Sequence, residues 1–168
     1  MIEKCLIEHC APTLASLKAA NLFNTWCEEG ENLEAQLACW NQMMNPKGVK
    51  LMVLKKWENR ALVYVYREEQ LARNLKHPEI AHFLKEYGYE KMEPEQCLAL
   101  LKKKFEAATG FPHEIGIFLD YPLGDVIGFI RNGGQNYKIG GCWEGNFNEY
   151  EGMEKVLQKR ENREVYSD

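Results

Sequence analysis

The hydrophobic pattern of the chain changes period several times, and these changes predict its helices and strands. Apolar residues recur every three or four positions from Asn32 to Met44 and again from Glu93 to Ala108, which is the spacing of an amphipathic helix. Between these stretches the helical spacing is absent. Val49 to Trp57 and Ala61 to Tyr66 are instead rich in β-branched and aromatic residues, which is typical of β-strands. Two such runs, joined by a short polar connection, predict a β-hairpin over about 49–66.

Proline, glycine and short apolar runs predict the remaining elements. Pro12 suits the first turn of a helix, so we predict a helix over Thr13–Phe23 with Cys10 at its N-terminal end. The apolar run Ile115–Leu119 predicts a short strand, and a helix beginning at Asp125 follows it. The other predicted elements are helices over Glu68–Leu75, Glu79–Glu86 and Phe147–Glu161, and a strand over Tyr137–Trp143.

These elements predict an α+β fold (or a mixed α/β fold), with helices packed on a small sheet of three or four strands. The chain of 168 residues shows no internal repeat and no linker composition, so we expect a single domain over 1–168. A domain of this length buries roughly 70% of the surface that its unfolded chain exposes, so it needs no disulfide or structural metal to be stable.

Composition and charge limit the classes of binding partner and the cellular compartment that we expect for this protein. The net charge is −4 and no basic stripe with interleaved aromatic residues is present, which argues against a nucleic-acid partner. The sequence has neither a signal-peptide pattern nor an apolar run long enough to span a membrane, so we expect a cytoplasmic protein without a membrane partner. The six cysteines lack CxxC spacing and are expected to be free thiols in a reducing compartment. No phosphate-binding loop is present, and nothing in the sequence requires a cofactor.

One hypothesis for the chemistry is a cysteine-dependent enzyme. A thiol at a helix N-terminus has a lowered pKa, which would make Cys10 a nucleophile. His113 would be its base, and Asp125 or Glu114 would orient the imidazole. The order of cysteine, histidine and acid along the chain is that of papain-like enzymes.

Two other hypotheses stay open beside it. His9, Cys10 and His113 together could form a nitrogen and sulfur site for a metal such as zinc. Alternatively, the protein performs no chemistry and is an interaction module, with Cys10 a small buried side chain. The sequence therefore leaves open whether the protein is an enzyme.

Several strings in this chain resemble an uncharacterised bacterial family of single-domain proteins, known as a domain of unknown function. The most specific are HCAPTLA over His9–Ala15 and FPHEIGIFLDYPLGDVIGFI over Phe111–Ile130, joined by VYVYR ending at Arg67 and GCW ending at Trp143. The resemblance implies one domain in a bacterial cytoplasm, with the His9–Cys10 segment paired to the His113–Glu114 segment.

The chain also departs from that family pattern at two positions. Asp120 stands where the family usually has glycine, and Gly124 stands where it usually has glutamate. Asp125 matches the pattern, and the resemblance therefore makes it a better candidate than Asp120 for a shared acid.

Overall fold

The structure is a computed structural model that describes residues 2–90, 93–107 and 112–131. The strands in these ranges are β1 (Ala20–Trp26), β2 (Val49–Lys56) and β3 (Arg60–Arg67). The α-helices are α1 (Ile2–Leu14), α2 (Leu33–Met44), α3 (Glu68–Lys76), α4 (Pro78–Lys85), α5 (Pro94–Ala107), α6 (Ile115–Phe118) and α7 (Leu123–Arg131).

The strands form an antiparallel sheet with β3 in the centre, in the order β1-β3-β2. Val63 of β3 is paired with Phe23 on one side and with Val53 on the other. The predicted hairpin over 49–66 is confirmed, and so is the α+β class. Strand β3 is buried from Ala61 to Tyr66 because helices cover both faces of the sheet.

The alternation of side chains along the strands separates two hydrophobic cores. Val63 and Val65 point to one face, and Tyr64 and Tyr66 point to the other. The first core lies between the sheet and helices α1 and α2, and contains Ile2, Leu6, Cys10, Phe23, Leu33, Leu37, Val63 and Val65. The second core lies between the sheet and helices α3 to α7, and contains Leu22, Tyr64, Leu71, Leu84, Leu101, Phe105, Ile115, Phe118, Val126 and Phe129.

The predicted helix over Thr13–Phe23 is wrong. Pro12 lies near the C-terminal end of α1 instead of opening a helix, and the chain then enters strand β1. Leu22 and Phe23 show why a strand forms here, since these neighbours pack into different cores on opposite faces of the sheet. Only a strand places adjacent side chains on opposite faces.

The predicted strand over Ile115–Leu119 is also wrong, because Ile115–Phe118 forms the short helix α6 with all four residues buried. A short, continuous apolar run has no periodicity that separates a strand from a buried helix. Helix α7 begins at Leu123, so Asp125 lies in its first turn. The strand predicted over Tyr137–Trp143 and the helix predicted over Phe147–Glu161 lie outside the described residues.

The side chains of Arg67 and Asp120 form hydrogen bonds that link separate elements of the fold. The Arg67 guanidinium donates to the carbonyl oxygens of Thr13 and Leu14, each at 2.6 Å, and so satisfies the C-terminal end of α1. Asp120 has a φ of 67°, in the left-handed region that favours glycine. Its carboxylate accepts from the Ala19 N–H at 3.0 Å and from the Asn74 side-chain amide at 2.8 Å, which ties β1 and α3 to the loop before α7.

Candidate functional site

A groove lies between helices α4 and α7, with a volume of about 470 Å³. The residues that line it are Glu79, His82, Phe83, Glu86 and Tyr87 on the α4 side, and Leu123, Ile127, Ile130 and Arg131 on the α7 side. Spacings of three and four residues place each set on one helix face. The groove is therefore formed by one face of each helix, and several of its apolar residues, among them Phe83 and Ile130, also pack against the edge of the second core.

The floor of the groove is apolar because both helices carry more apolar residues than the core buries. Leu84 on α4 and Phe129 on α7 face the second core, whereas Phe83, Tyr87 and Ile127 are only partly buried. The rings of Phe83 and Tyr87 contact each other, with their centroids 5.0 Å apart.

The rim of the groove is charged. Glu79 and Glu86 are exposed on the α4 side, together with His82, and Arg131 is exposed on the α7 side. Burial, followed by the nearby carboxylates of Glu114 and Glu86, raises the pKa of Tyr87, so this phenol stays neutral near pH 7. The groove thus combines an apolar floor with fixed charges and a neutral hydroxyl.

A buried ion pair between Lys104 and Glu114 contacts the backbone of Tyr87, on the α4 side of the groove. The Lys104 ammonium lies 2.7 Å from the Glu114 carboxylate, whose side chain is only 3% exposed. The same ammonium donates to the Tyr87 carbonyl at 2.6 Å, and the Tyr89 hydroxyl donates to Glu114 at 3.2 Å. Lys104 therefore connects α5 to the Tyr87 backbone and to Glu114.

The environment of Tyr89 keeps its hydroxyl protonated. Burial and then the Glu114 charge raise the pKa of Tyr89 above its ordinary value of 10.0. The Lys104 ammonium also lies 4.5 Å from the centre of the Tyr89 ring. Tyr89 therefore remains a hydrogen-bond donor to Glu114 throughout the neutral range.

His113 lies on the α7 side of the same region. Its ring meets Phe129 edge-on, with 5.7 Å between the centroids and an interplanar angle of 89°. His113 and Glu114 therefore connect the segment before α6 to α7 and to α5. Asp125 lies in the first turn of α7, with its backbone N–H donating to the Pro122 carbonyl.

Cys10 is placed elsewhere. It is 0% exposed and packs in the first core, whereas Phe129 and the Glu114 partner Tyr89 belong to the second core. The sheet separates these two cores, so the structure does not bring Cys10 and the His113–Glu114 pair together. The prediction that Cys10 lies at a helix N-terminus is wrong, because α1 begins at Ile2 and Cys10 lies well inside it.

The metal hypothesis has no ligand cluster within residues 2–90, 93–107 and 112–131, where no group of three or more His, Cys, Asp or Glu side chains is arranged to hold an ion. His9 lies in α1 and His113 precedes α6, on opposite sides of the sheet. Among the helices that the structure describes, none has the length and apolar character needed to cross a membrane.

Sequence reasoning missed the groove. Its signal was an excess of apolar residues on α4 and α7, since Phe83, Ile127 and Ile130 line the groove and are only partly buried. That excess becomes visible only after the core-facing side is known.

The comparisons with known proteins give a family and no further relatives. A family model described as "Protein of unknown function (DUF3793)" matches residues 6–167. No curated protein and no solved structure matches the chain.

Proposed function

Because the chain belongs to the family of unknown function DUF3793, we propose a function from the groove itself: the protein is an interaction module that binds an amphipathic helix of a partner protein between α4 and α7. The observation that supports this proposal is the apolar groove of about 470 Å³ with a charged rim. Exposed apolar surface bordered by polar residues is typical of a binding site.

The dimensions of the groove suit a helix. Helix α4 has 8 residues and α7 has 9, so each wall is about 12 to 14 Å long at 1.5 Å per residue. This length accommodates about two turns of a bound helix, whose residues at i, i+3, i+4 and i+7 would contact Phe83 and Ile127 on the floor.

The acidic rim favours basic residues on the partner. Glu79 and Glu86 are seven positions apart, which is two helical turns, or about 10.5 Å along α4. A lysine or arginine repeated every seven residues has the same spacing, so a partner helix lying along α4 can pair with both carboxylates. Such rim charges contribute more to association rate and selectivity than to affinity.

The cysteine-enzyme hypothesis with Cys10, His113 and Asp125 or Glu114 stays a prediction, but the described geometry does not favour it. The Cys10 thiol is fully enclosed, so a substrate has no access to it. The metal hypothesis with His9, Cys10 and His113 also stays a prediction, and the separation of these residues across the sheet gives it no support.

The proposal is tested with a fluorescein-labelled amphipathic peptide of leucine and lysine, in which the leucines share one helical face. Fluorescence anisotropy measures its binding to the full chain, and a scrambled peptide of equal composition is the peptide control. Ile127→Glu places a charge on the groove floor and should weaken binding by about tenfold or more, which corresponds to about 1.4 kcal/mol.

Matched variants separate groove binding from general hydrophobic or charge effects. Ile7→Glu makes the same change at a residue that is 71% exposed and outside the groove, and should leave the affinity unchanged. Glu86→Lys should weaken binding more than Glu29→Lys, an exposed site away from the groove. Equal binding of both peptides, or equal effects of Ile127→Glu and Ile7→Glu, contradicts the proposal.

A further inference from the structure

We infer that the α4–α7 groove is also a self-association surface, on which a second copy of the chain packs so that α4 of each copy lies against α7 of the other. The inference rests on the proposed function, because the second copy and a partner helix would occupy the same groove. Self-association would then regulate the site, since a partner helix has to displace the second copy before it binds.

The fixed charges of the groove are divided between its two walls. Glu79 and Glu86 lie on the α4 wall, Arg131 lies on the α7 wall, and all three side chains are exposed. The acidic residue of α7, Asp125, is not part of the groove lining. Among the residues that the structure describes, the ion pairs involve none of Glu79, Glu86 and Arg131. One wall is therefore acidic, the other is basic, and both charges are available to a partner.

This division of charge makes the groove face self-complementary under a two-fold axis. Two copies of a helix pair can pack face to face in two symmetric ways, with like helix on like helix or with α4 on α7. The first way places Glu79 and Glu86 against the same carboxylates of the second copy, and like charges that face each other are unfavourable. The second way places the acidic α4 wall of each copy against Arg131 of the other. Charge therefore selects the α4-on-α7 arrangement, and the two-fold axis forms this contact twice.

The apolar floor of the groove supplies the packing contacts between the two copies. Phe83 and Tyr87 on α4, and Ile127 and Ile130 on α7, line the groove and are only partly buried. Two helix pairs that pack face to face form a four-helix bundle, whose central core is filled by inward-facing side chains of all four helices. Packing of this kind would bury the apolar floors of both grooves at once.

The size of this face makes the association weak. Helix α4 has 8 residues and α7 has 9, so the face is about 14 Å long, and two helices of about 10 Å diameter make it about 20 Å wide. The face covers on the order of 300 Å² on each copy, or about 600 Å² in total, whereas stable complexes bury about 1,200 Å² or more. We therefore expect a transient dimer with a dissociation constant on the order of 100 µM, which a partner helix can displace.

The first experiment measures the mass of the full chain in solution by sedimentation equilibrium. Reducing conditions keep the exposed Cys39 from forming a disulfide between copies. The protein concentration runs from about tenfold below to about tenfold above the expected dissociation constant, so that monomer and dimer are each observed. Ile127→Glu should weaken the dimer by about tenfold or more. Ile7→Glu, at a residue that is 71% exposed and outside the groove, should leave it unchanged.

The second experiment tests the charge selection with two complementary variants. Glu79→Arg/Glu86→Arg makes the α4 wall basic, and Arg131→Glu makes the α7 wall acidic. Each variant alone meets like charge at both contacts of its own dimer, which should be weaker than wild type by about tenfold or more. In an equimolar mixture, the α4-on-α7 heterodimer has opposite charges at both contacts, so its dissociation constant should lie within about threefold of wild type. Glu28→Arg/Glu29→Arg reverses two exposed charges outside the groove and should dimerise like wild type.

The outcomes separate this inference from the proposed function. A dimer that depends on Ile127 and is restored by mixing the two charge-reversed variants supports the inference. A chain that stays monomeric over the whole range overturns it, and so does a dimer that charge reversal does not weaken or that mixing does not restore.

The labelled leucine–lysine peptide then tests whether the two ligands share the site. Dissociation of the wild-type dimer by the peptide supports both proposals. Peptide that binds without dissociating the dimer overturns the inference, and Ile127-dependent binding of the peptide to a purely monomeric chain leaves the proposed function standing alone. If the dimer forms through the groove but the peptide does not bind, the second copy occupies the groove and the proposed partner function fails.

Discussion

Replacing Lys104 by methionine should destabilise the protein far more than removing an ordinary surface lysine. The substitution keeps most of the apolar stem and removes the ammonium that lies 2.7 Å from Glu114. The Glu114 carboxylate, 3% exposed, would then stay buried without this cation, while the Tyr89 hydroxyl still donates to it. Breaking a buried pair by removing one partner costs about 3–5 kcal/mol. We expect about 3 kcal/mol, because the lysine side chain is 28% exposed and water already weakens the pair.

The pair Lys50–Glu68 provides a matched control. Lys50 is 31% exposed and lies 3.2 Å from its carboxylate, so the two lysines have similar environments, but Glu68 is 49% exposed. Lys50→Met leaves a carboxylate that water can solvate, and should lower the free energy of unfolding by about 0–1 kcal/mol. Urea unfolding at pH 7, followed by circular dichroism, measures both variants and wild type under the same conditions.

Two further variants test whether the unpaired charge of buried Glu114 causes the loss of stability in Lys104→Met. Glu114→Gln should cost less than Lys104→Met, because the ammonium left behind is partly exposed and still donates to the Tyr87 carbonyl. The double variant Lys104→Met/Glu114→Leu removes both charges and should be more stable than Lys104→Met alone. If Lys104→Met and Lys50→Met shift the urea midpoint equally, burial of Glu114 does not determine the strength of the pair and the reasoning is wrong.

Three more predictions follow from single residues. Asp120→Ala should have a free energy of unfolding about 1 kcal/mol lower than that of Asp120→Gly, because only alanine places a β-carbon at a φ of 67°. Equal urea midpoints for the two variants would count against backbone strain. Burial raises the pKa of Tyr66 from 10.0 to about 12, so its stabilising contribution is complete below pH 10 and is lost as the pH rises towards 12; Tyr66→Phe should flatten the decline of the urea midpoint over this range. Iodoacetamide at pH 6.5, followed by peptide mass spectrometry, should label the exposed Cys39 well before the buried Cys10; equally fast labelling of Cys10 would instead favour the cysteine-enzyme hypothesis.

Much of the secondary structure was predictable because it depends on local pattern. The hairpin over 49–66 and the helices α2 to α5 each carry a clear period, and the structure confirms them. The errors fall where the pattern is ambiguous. Ile115–Phe118 is apolar throughout, so its period is undefined, and Pro12 is a weak guide because a proline marks a helix boundary without always saying which one.

The candidate site was predictable only in part. His113 and Glu114 were singled out as a base and an orienting group, and these roles stay predictions, whereas the structure shows Glu114 in a buried ion pair with Lys104. Its partner Lys104 was not singled out, because it stands in a run of three lysines, Lys102–Lys104, in which no local pattern distinguishes one residue from its neighbours. The proposed link to Cys10 depended on a contact between residues about a hundred positions apart, which no local period encodes.

The sequence by itself therefore determined the α+β class, the central hairpin and most of the described helices. These features follow from the alternation of apolar and polar residues, which reflects local backbone geometry and burial. Only the tertiary structure decided that Cys10 and His113 lie on opposite sides of the sheet, that Lys104 neutralises Glu114, and that α4 and α7 leave an apolar groove. These outcomes depend on which faces of distant segments pack together. That choice is made by the whole core, because β3 presents one set of side chains to α1 and α2 and the alternate set to α3 through α7.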